Sequence, residues 1–210
     1  ATNVYNVAVG ESAGAAVTTG HSNTLIGGLS GDALTDADHN VALGYASLSG
    51  NQRGQFNTAL GSGSLLALNP SGAADMYNTA VGYISGTAMT TGILNTVIGA
   101  TSADALTEGT RNVAVGQASL GQDTKGSKSV AIGQAALGTQ NFTTATDAHN
   151  VAVGNAAGVA ITTGVQNTII GGLAGDALTD ADNNVAVGYK ALGADTLGTD
   201  SIAIGVQALR

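Results

Sequence analysis

The residues of this sequence best suited to chemistry are two clusters of aspartates. Asp32, Asp36 and Asp38 lie close together in one segment, and the same spacing recurs farther along the chain at Asp176, Asp180 and Asp182. Carboxylates gathered on one loop can bind calcium, which prefers oxygen ligands. The clusters therefore make calcium a candidate ligand, and a solvated acidic loop is the alternative interpretation.

The glycines beside these aspartates bear on the same question. Residues 27–34 and 171–178 resemble the calcium-binding glycine-rich nonapeptide, with one glycine shifted. That motif works in tandem, because each ion is shared between successive turns. The equivalent segment in the middle of the chain, residues 100–104, reads Ala-Thr-Ser-Ala-Asp instead. We therefore expect no cofactor other than calcium at these loops.

Composition and charge narrow the classes of function. The 210 residues include 32 glycines, one proline and no cysteine, and six Lys and Arg stand against 14 Asp and Glu, for a net charge of -8. This charge disfavours nucleic acid and anionic membrane surfaces as partners. No apolar run reaches the length of a membrane span, and no nucleophile, base and orienting group recur together. The sequence favours a non-enzymatic protein that is not inserted in a membrane.

The elements that position these residues follow from one five-residue phrase that occurs twelve times. It opens with Asn or Ser, continues with a β-branched residue, a mostly small residue and an aliphatic residue, and closes with Gly. Its copies start at residues 6, 23, 40, 57, 78, 95, 112, 129, 150, 167, 184 and 201. We call each repeat a coil and number its positions from the opening Asn or Ser. Residues 1–210 form one domain with blocks 6–77, 78–149 and 150–210.

A repeat of this length predicts one turn of a β-solenoid, since it is too short for a pair of helices and lacks a helical apolar stripe. The phrase is the main strand. We expect a second short strand just after it, as at residues 45–48 and 117–120, and an outward polar loop over the rest of the coil. Two coils are longer than the others, one at the end of block 6–77 and one at the end of block 78–149. Their extra residues lie in that loop, at 66–77 and 139–149.

The apolar pattern of the phrase leads to a prediction about its two faces. Positions 2 and 4 are expected to fill the interior, and position 3 to press against another copy of the chain, because a strand that is apolar on both faces is buried on both. Substitutions at Ala8, Ala42 or Ala114 should then break assembly. The predicted subunit interface consists of Ala8, Leu25, Ala42, Ala59, Ala80, Val97, Ala114, Ala131, Ala152, Ile169, Ala186 and Ala203.

Two features that recur among the copies of the phrase have simple structural interpretations. The closing glycine suits a turn with positive φ or tight clearance. The opening asparagines are expected to stack as a ladder of side-chain amides or to cap the turn locally. Histidines 21, 39 and 149 precede coil starts, where symmetry could gather them around an anion or a metal. Tyrosines 45, 83 and 189 follow the glycine and could contact sugar or protein, or pack on a neighbouring coil.

The phrase resembles the head repeat of trimeric autotransporter adhesins, above all at residues 129–137 (Ser-Val-Ala-Ile-Gly-Gln-Ala-Ala-Leu) and 201–209. It is equally similar to repeats of bacteriophage tail fibres. The resemblance implies a left-handed parallel β-roll with three chains around one axis, located outside the cell, at the cell surface or on a virion. It also implies attachment to a host-cell protein or glycan receptor. The coils here are somewhat longer than the family's usual ones.

Three hypotheses about function follow from this sequence. The first is a homotrimeric, non-enzymatic segment of an adhesive or tail fibre. The second is a calcium-binding monomeric solenoid, suggested by the aspartate loops. The third is a filament in which coil ends stack on one another, because the repeat runs to both ends of the sequence.

Overall fold

The chain is a parallel β-solenoid of about twelve coils, and the computed structural model describes residues 4–210. Within this range all regular elements are strands. Each phrase supplies one strand of a single twelve-stranded sheet. In chain order, these strands are β1 (Val7–Val9), β2 (Thr24–Ile26), β3 (Val41–Leu43), β5 (Thr58–Leu60), β7 (Thr79–Val81), β8 (Thr96–Ile98), β9 (Val113–Val115), β11 (Val130–Ile132), β13 (Val151–Val153), β14 (Thr168–Ile170), β15 (Val185–Val187) and β16 (Ile202–Ile204).

The sheet keeps one register throughout, so that like positions of successive coils stand beside each other. Ala131, for example, pairs with Ala114 on one side and Ala152 on the other. The longer coils do not disturb this register, because their extra residues form small separate sheets with the coil before. These sheets pair β4 (Gly54–Gln55) with β6 (Ala74–Asp75) and β10 (Gly126–Ser127) with β12 (Thr146–Asp147).

The two faces of the sheet are the reverse of the sequence-based assignment. From β2 to β16 the position-3 side chains are buried inside the chain's own coils, each at most 1% exposed, whereas positions 2 and 4 point outward. Ala8, in the first coil, is the exposed exception. The prediction that positions 2 and 4 fill the interior is therefore wrong.

The interior is completed by side chains from positions 9 and 12, which lie beyond the phrase. Leu48 and Leu120 at position 9 and Leu34 and Met89 at position 12 are fully buried. The predicted second strand is absent from the described residues: the segment after each glycine is a run of turns. The expectation that the rest of the coil forms an outward loop is also wrong, because Leu34 and Met89 at position 12 lie in that part of the coil and are buried in the core.

A large side chain stands at no more than one of positions 3 and 9 in each coil, and where both are small, as at Ala80 and Gly86, position 12 supplies a large one such as Met89. Where position 3 is Ala42, position 9 is Leu48, and where position 3 is Leu25, position 9 is Gly31. A Cβ added at Gly31 would lie 2.8 Å from a terminal methyl of Leu25. Since protein interiors are close-packed, a large residue at one position requires a small one at the other.

The turns that carry position 9 use left-handed backbone conformations at non-glycine residues. Leu120, for instance, has a φ of 52°. Such a conformation costs about 1 kcal/mol or more. The ladder between coils offsets it, because the Leu120 N–H donates to the carbonyl of Ala136 at 3.0 Å.

From Gly10 to Gly188 the phrase glycines have both predicted features, positive φ and tight clearance. Gly116 has a φ of 134°, and a Cβ there would lie 2.6 Å from the carbonyl carbon of Gly133 in the next coil. No side chain fits at that distance.

The asparagine ladder predicted for position 1 is confirmed, and it runs through the interior. The Asn40 side-chain oxygen accepts both the backbone N–H and the side-chain amide of Asn57, at 3.0 Å each. The Asn40 amide nitrogen donates across the coil to the carbonyl of Gly54. These bonds satisfy buried polar groups and tie each coil to the next.

A second ladder, at position 13, consists mainly of threonines. The Thr107 hydroxyl donates to the carbonyl of Thr124 one coil later, at 2.9 Å, and Thr35 makes the same contact with Gln52. These hydroxyls are structural, because they cap carbonyls at the corner of the coil.

Candidate interaction surface

The outer face of the sheet is a continuous apolar strip. It is formed by positions 2 and 4 of the twelve strands, all of them Val, Ile, Leu or Thr. Several of these side chains are strongly exposed in the single chain, including Leu43 at 47% and Ile132 at 38%. We call this surface the apolar strip.

The dimensions of the apolar strip follow from the sheet geometry. Eleven steps of about 4.8 Å give a length of roughly 53 Å, and two side-chain columns span roughly 10 Å, for a flat area of about 500 Å². A typical monomer has a largest exposed apolar patch of about 300–600 Å². The apolar strip lies at the upper end of that range, and it is unbroken by charge.

The predicted interface residues at position 3 do not lie on this strip. From Leu25 to Ala203 they belong to the buried core, so their side chains cannot be reached by another copy of the chain. The sequence analysis was right that the strand is apolar on both faces. The face exposed in the single chain, however, carries positions 2 and 4 rather than position 3.

The structure does not gather the predicted calcium aspartates into one site, and across residues 4–210 no group of three or more His, Cys, Asp or Glu side chains could hold a metal ion. In the first cluster each carboxylate has a partner of its own. Asp32 accepts the Ser49 hydroxyl at 2.6 Å, and Asp36 accepts the Thr35 hydroxyl at 3.1 Å. Asp38 lies 3.1 Å from a ring nitrogen of His21 and accepts the backbone N–H of the same residue.

The second aspartate cluster differs from the first in one respect. Asp182 accepts the N–H of Val165, and Asp180 accepts the Thr179 hydroxyl. Asp176, by contrast, has a buried carboxylate oxygen with no hydrogen-bond partner.

Two of the three predicted histidines lie together, in an aromatic stack that the sequence analysis did not foresee. The His39 ring stacks on Phe56 at 5.1 Å, Phe56 stacks on Tyr77 at 5.1 Å, and the edge of His21 meets His39 at 5.3 Å. Three of the four rings, His39, Phe56 and Tyr77, occupy the last position of successive coils. An aromatic residue recurring at the coil spacing was therefore the sequence signal that could have predicted the stack. His149 lies outside this stack.

The predicted tyrosine patch is exposed but not continuous. Tyr45, Tyr83 and Tyr189 are 48–62% exposed. The Tyr45 ring lies close over Gly28 of the preceding coil, where a Cβ would be 3.5 Å from it. Tyr45 thus packs against the neighbouring coil, and its outer side remains open.

A buried polar network supplies hydrogen bonds at the point in the asparagine ladder where Ser129 takes the place of Asn. The Gln140 amide nitrogen donates to Asp123 at 2.6 Å and contacts the Ser129 hydroxyl, and its oxygen accepts from Asn150 at 2.9 Å. Burial raises the pKa of the Asp123 carboxyl, although the hydrogen bond from Gln140 and several backbone N–H groups oppose the rise. The residue that compensates for Ser129 is thus eleven positions away in the sequence.

No protein-family model, curated protein or solved structure matches this chain. The class of protein is therefore defined by the structure itself, as an all-β parallel solenoid repeat. None of the described residues forms a helix that could cross a membrane.

Proposed function

We propose that the chain is a non-enzymatic segment of a homotrimeric fibre, located outside the cell or on a virion, that presents a surface for attachment. The observation that carries this proposal is the apolar strip along the full length of the sheet. The resemblance of the phrase to adhesin-head and tail-fibre repeats supports the same function.

Self-association is the simplest way to cover the apolar strip. The strip is straight and has a rung at every coil, so copies of the chain arranged in parallel around one axis can cover one another along its whole length. Burying about 500 Å² of apolar surface per chain contributes roughly 13 kcal/mol. This gain is comparable to or larger than the loss of about 4–15 kcal/mol in translational and rotational freedom for each association.

Cross-linking through single cysteines tests this arrangement, since the chain has no cysteine of its own. Ile98→Cys places a thiol on the apolar strip, and Thr163→Cys places one on an exposed turn as a matched control. A short bis-maleimide should convert the Ile98→Cys protein to covalent dimers. The control should remain monomeric on a denaturing gel. Equal yields from the two variants would argue against a shared axis at the strip.

Attachment is tested separately from assembly. A fluorescently labelled sample of the chain should bind to host cells or immobilised glycans, with an avidity that falls when the strip is disrupted by Ile98→Asp. Binding that is indifferent to this substitution would separate adhesion from trimer formation.

Calcium binding remains the second candidate function, and the unpartnered oxygen of Asp176 is the observation that favours it. A ligand that binds only the folded state raises the melting temperature. If calcium binds, a chelator should lower the melting temperature of protein prepared with calcium, and Asp176→Asn should abolish that difference. An identical melting temperature with and without chelator would remove this candidate.

A further inference from the structure

A furrow of about 440 Å³ runs along the surface of coils 6 to 9, away from the apolar strip. Small residues at positions 7 and 10 of successive coils line it, namely Ala118, Gly121, Ala135 and Gly138. Three coil steps of about 4.8 Å make it roughly 14 Å long. Asp104, in coil 6, lies at one end and is the only charged residue that lines it.

Asp104 differs from the aspartate at the same coil position in the first block. Asp32 is satisfied by the hydroxyl of Ser49, which stands at position 10 of the following coil. In the second block the following coil has Gly121 at that position, and a Cβ there would lie 3.6 Å from an Asp104 carboxylate oxygen. The place of the Ser49 hydroxyl is therefore open in the furrow, and no side chain among the described residues donates to Asp104.

The electrostatics of Asp104 agree with this geometry. Burial raises the pKa of its carboxyl, and only a hydrogen bond with its own backbone opposes the rise. A partly desolvated carboxylate without a side-chain donor gains from an external cation or hydrogen-bond donor. The net charge of -8 on the chain adds a general attraction for cationic groups.

The third block shows that the furrow is specific to the second. There Asp176 has a buried oxygen without a partner, and Gly193 takes the place of Gly121. Lys190, however, stands where the second block has Ala118, and its ammonium group lies over the Tyr189 ring, 5.6 Å from the ring centroid, so the third block lacks the small residue that lines the furrow at this position.

We infer that the furrow of coils 6 to 9 binds a lysine side chain of a partner protein, with its ammonium group at Asp104 and its methylenes along the alanines and glycines. One carboxylate at one end of a furrow that is otherwise lined by uncharged residues, including Thr101, Gln122 and Thr139, matches one cation at the end of one alkyl stem. A polyamine, with several charges, would leave all but one of them without a counterion. The inference concerns a single chain and does not depend on the proposed trimer.

The probe that tests this site is Nα-acetyl-lysine N-methylamide, titrated into the isotopically labelled protein and followed by the amide resonances of Gly121 and Gly138. Asp104→Asn should weaken binding at least tenfold, because it removes the charge. Gly121→Ser should do the same, because it installs the hydroxyl that satisfies Asp32 in the first block. Asp32→Asn, at the already partnered position, should leave the affinity unchanged.

Two comparison ligands decide the chemistry. The Nε-acetylated form of the probe, which lacks the charge, should bind at least tenfold more weakly than the probe, and equal binding would overturn the assignment to an ammonium group. Spermidine binding more than tenfold tighter than the probe would identify a free polyamine as the occupant and overturn the assignment to a lysine side chain. Unchanged affinity in Asp104→Asn, or no response at Gly121 and Gly138, would refute the site itself.

Discussion

Adjacent residues of strand β11 should respond in opposite ways to the same substitution. Ala131 is fully buried between Ala114 and Ala152, whereas Ile132 faces outward on the apolar strip and is 38% exposed. Ala131→Asp places an unpaired carboxylate in the core and overpacks it, at a cost of several kcal/mol from each effect. Because domains are stable by only about 5–15 kcal/mol, this variant should not fold.

Ile132→Asp should fold but fail to assemble. The exposed part of the isoleucine amounts to roughly 70 Å², so its burial against neighbouring copies contributes about 1.7 kcal/mol per chain, or about 5 kcal/mol per trimer. In the proposed trimer, the substitution would also bring three carboxylates together at the axis, which adds repulsion and a desolvation cost. Assembly should therefore weaken by more than three orders of magnitude.

Circular dichroism and light scattering separate these outcomes. Ile132→Asp should keep the β-sheet spectrum of the parent at one third of its native mass, and Ala131→Asp should lose the spectrum altogether. Ile132→Ser, which removes apolar area without charge, should give an intermediate loss of assembly. A folded and assembled Ala131→Asp, or an Ile132→Asp that does not fold, would refute the assignment of the two faces.

Three further predictions concern the interior. Asn95→Ala removes three ladder hydrogen bonds, including the one that the Asn95 side-chain oxygen accepts from the Asn112 N–H at 2.9 Å. The free energy of unfolding in urea should therefore fall by about 2–4 kcal/mol. A loss below about 0.5 kcal/mol would contradict the role of the ladder. Gly116→Ala, whose Cβ would meet the Gly133 carbonyl, should cost more than about 3 kcal/mol in the same assay, and a neutral effect would contradict the close approach of the coils. The raised pKa of Asp123 means that the folded state holds its proton more tightly than the unfolded state, so this group makes stability fall as pH rises from about 4 through the folded-state pKa. Asp123→Asn should therefore be more favourable relative to the parent at pH 7 than at pH 4, and a difference of the opposite sign would contradict this origin of the shift.

The coil architecture could be predicted from the sequence because the repeat itself carries that information. A strict spacing of the phrase fixes the register of the sheet, and the longer coils keep that register, as the pairing of Thr58 with Thr79 shows. The positive φ of the phrase glycines and the asparagine ladder follow from residue types that have few other uses at a fixed place in every coil.

The face assignment failed because alternation alone does not say which of two apolar faces is inside. The small size of alanine at position 3 suggested close approach of another chain, whereas in six of the nine coils that have it, a leucine fills the same coil from position 9, and in the other three position 12 supplies Val17, Met89 or Ile161. The sequence did contain the discriminating signal. Leu25 and Ile169 at position 3 occur in coils whose position 9 is Gly31 or Gly175, and no coil has a large residue at both positions, which indicates that the two positions share one interior.

The furrow at Asp104 and the network around Asp123 could not be predicted from spacing. Both depend on which small or polar residue stands one coil away, and single-coil patterns do not reveal whether that neighbour satisfies a given carboxylate. The contrast between Ser49 and Gly121 acquires meaning only once the coils are stacked in register.

The native mass of the parent chain in dilute solution tests the proposed fibre most directly. The account predicts that light scattering will give three times the chain mass of 20.3 kDa, about 61 kDa. A monodisperse species of 20.3 kDa at micromolar concentration, with the outer side of the sheet left in water, would contradict it.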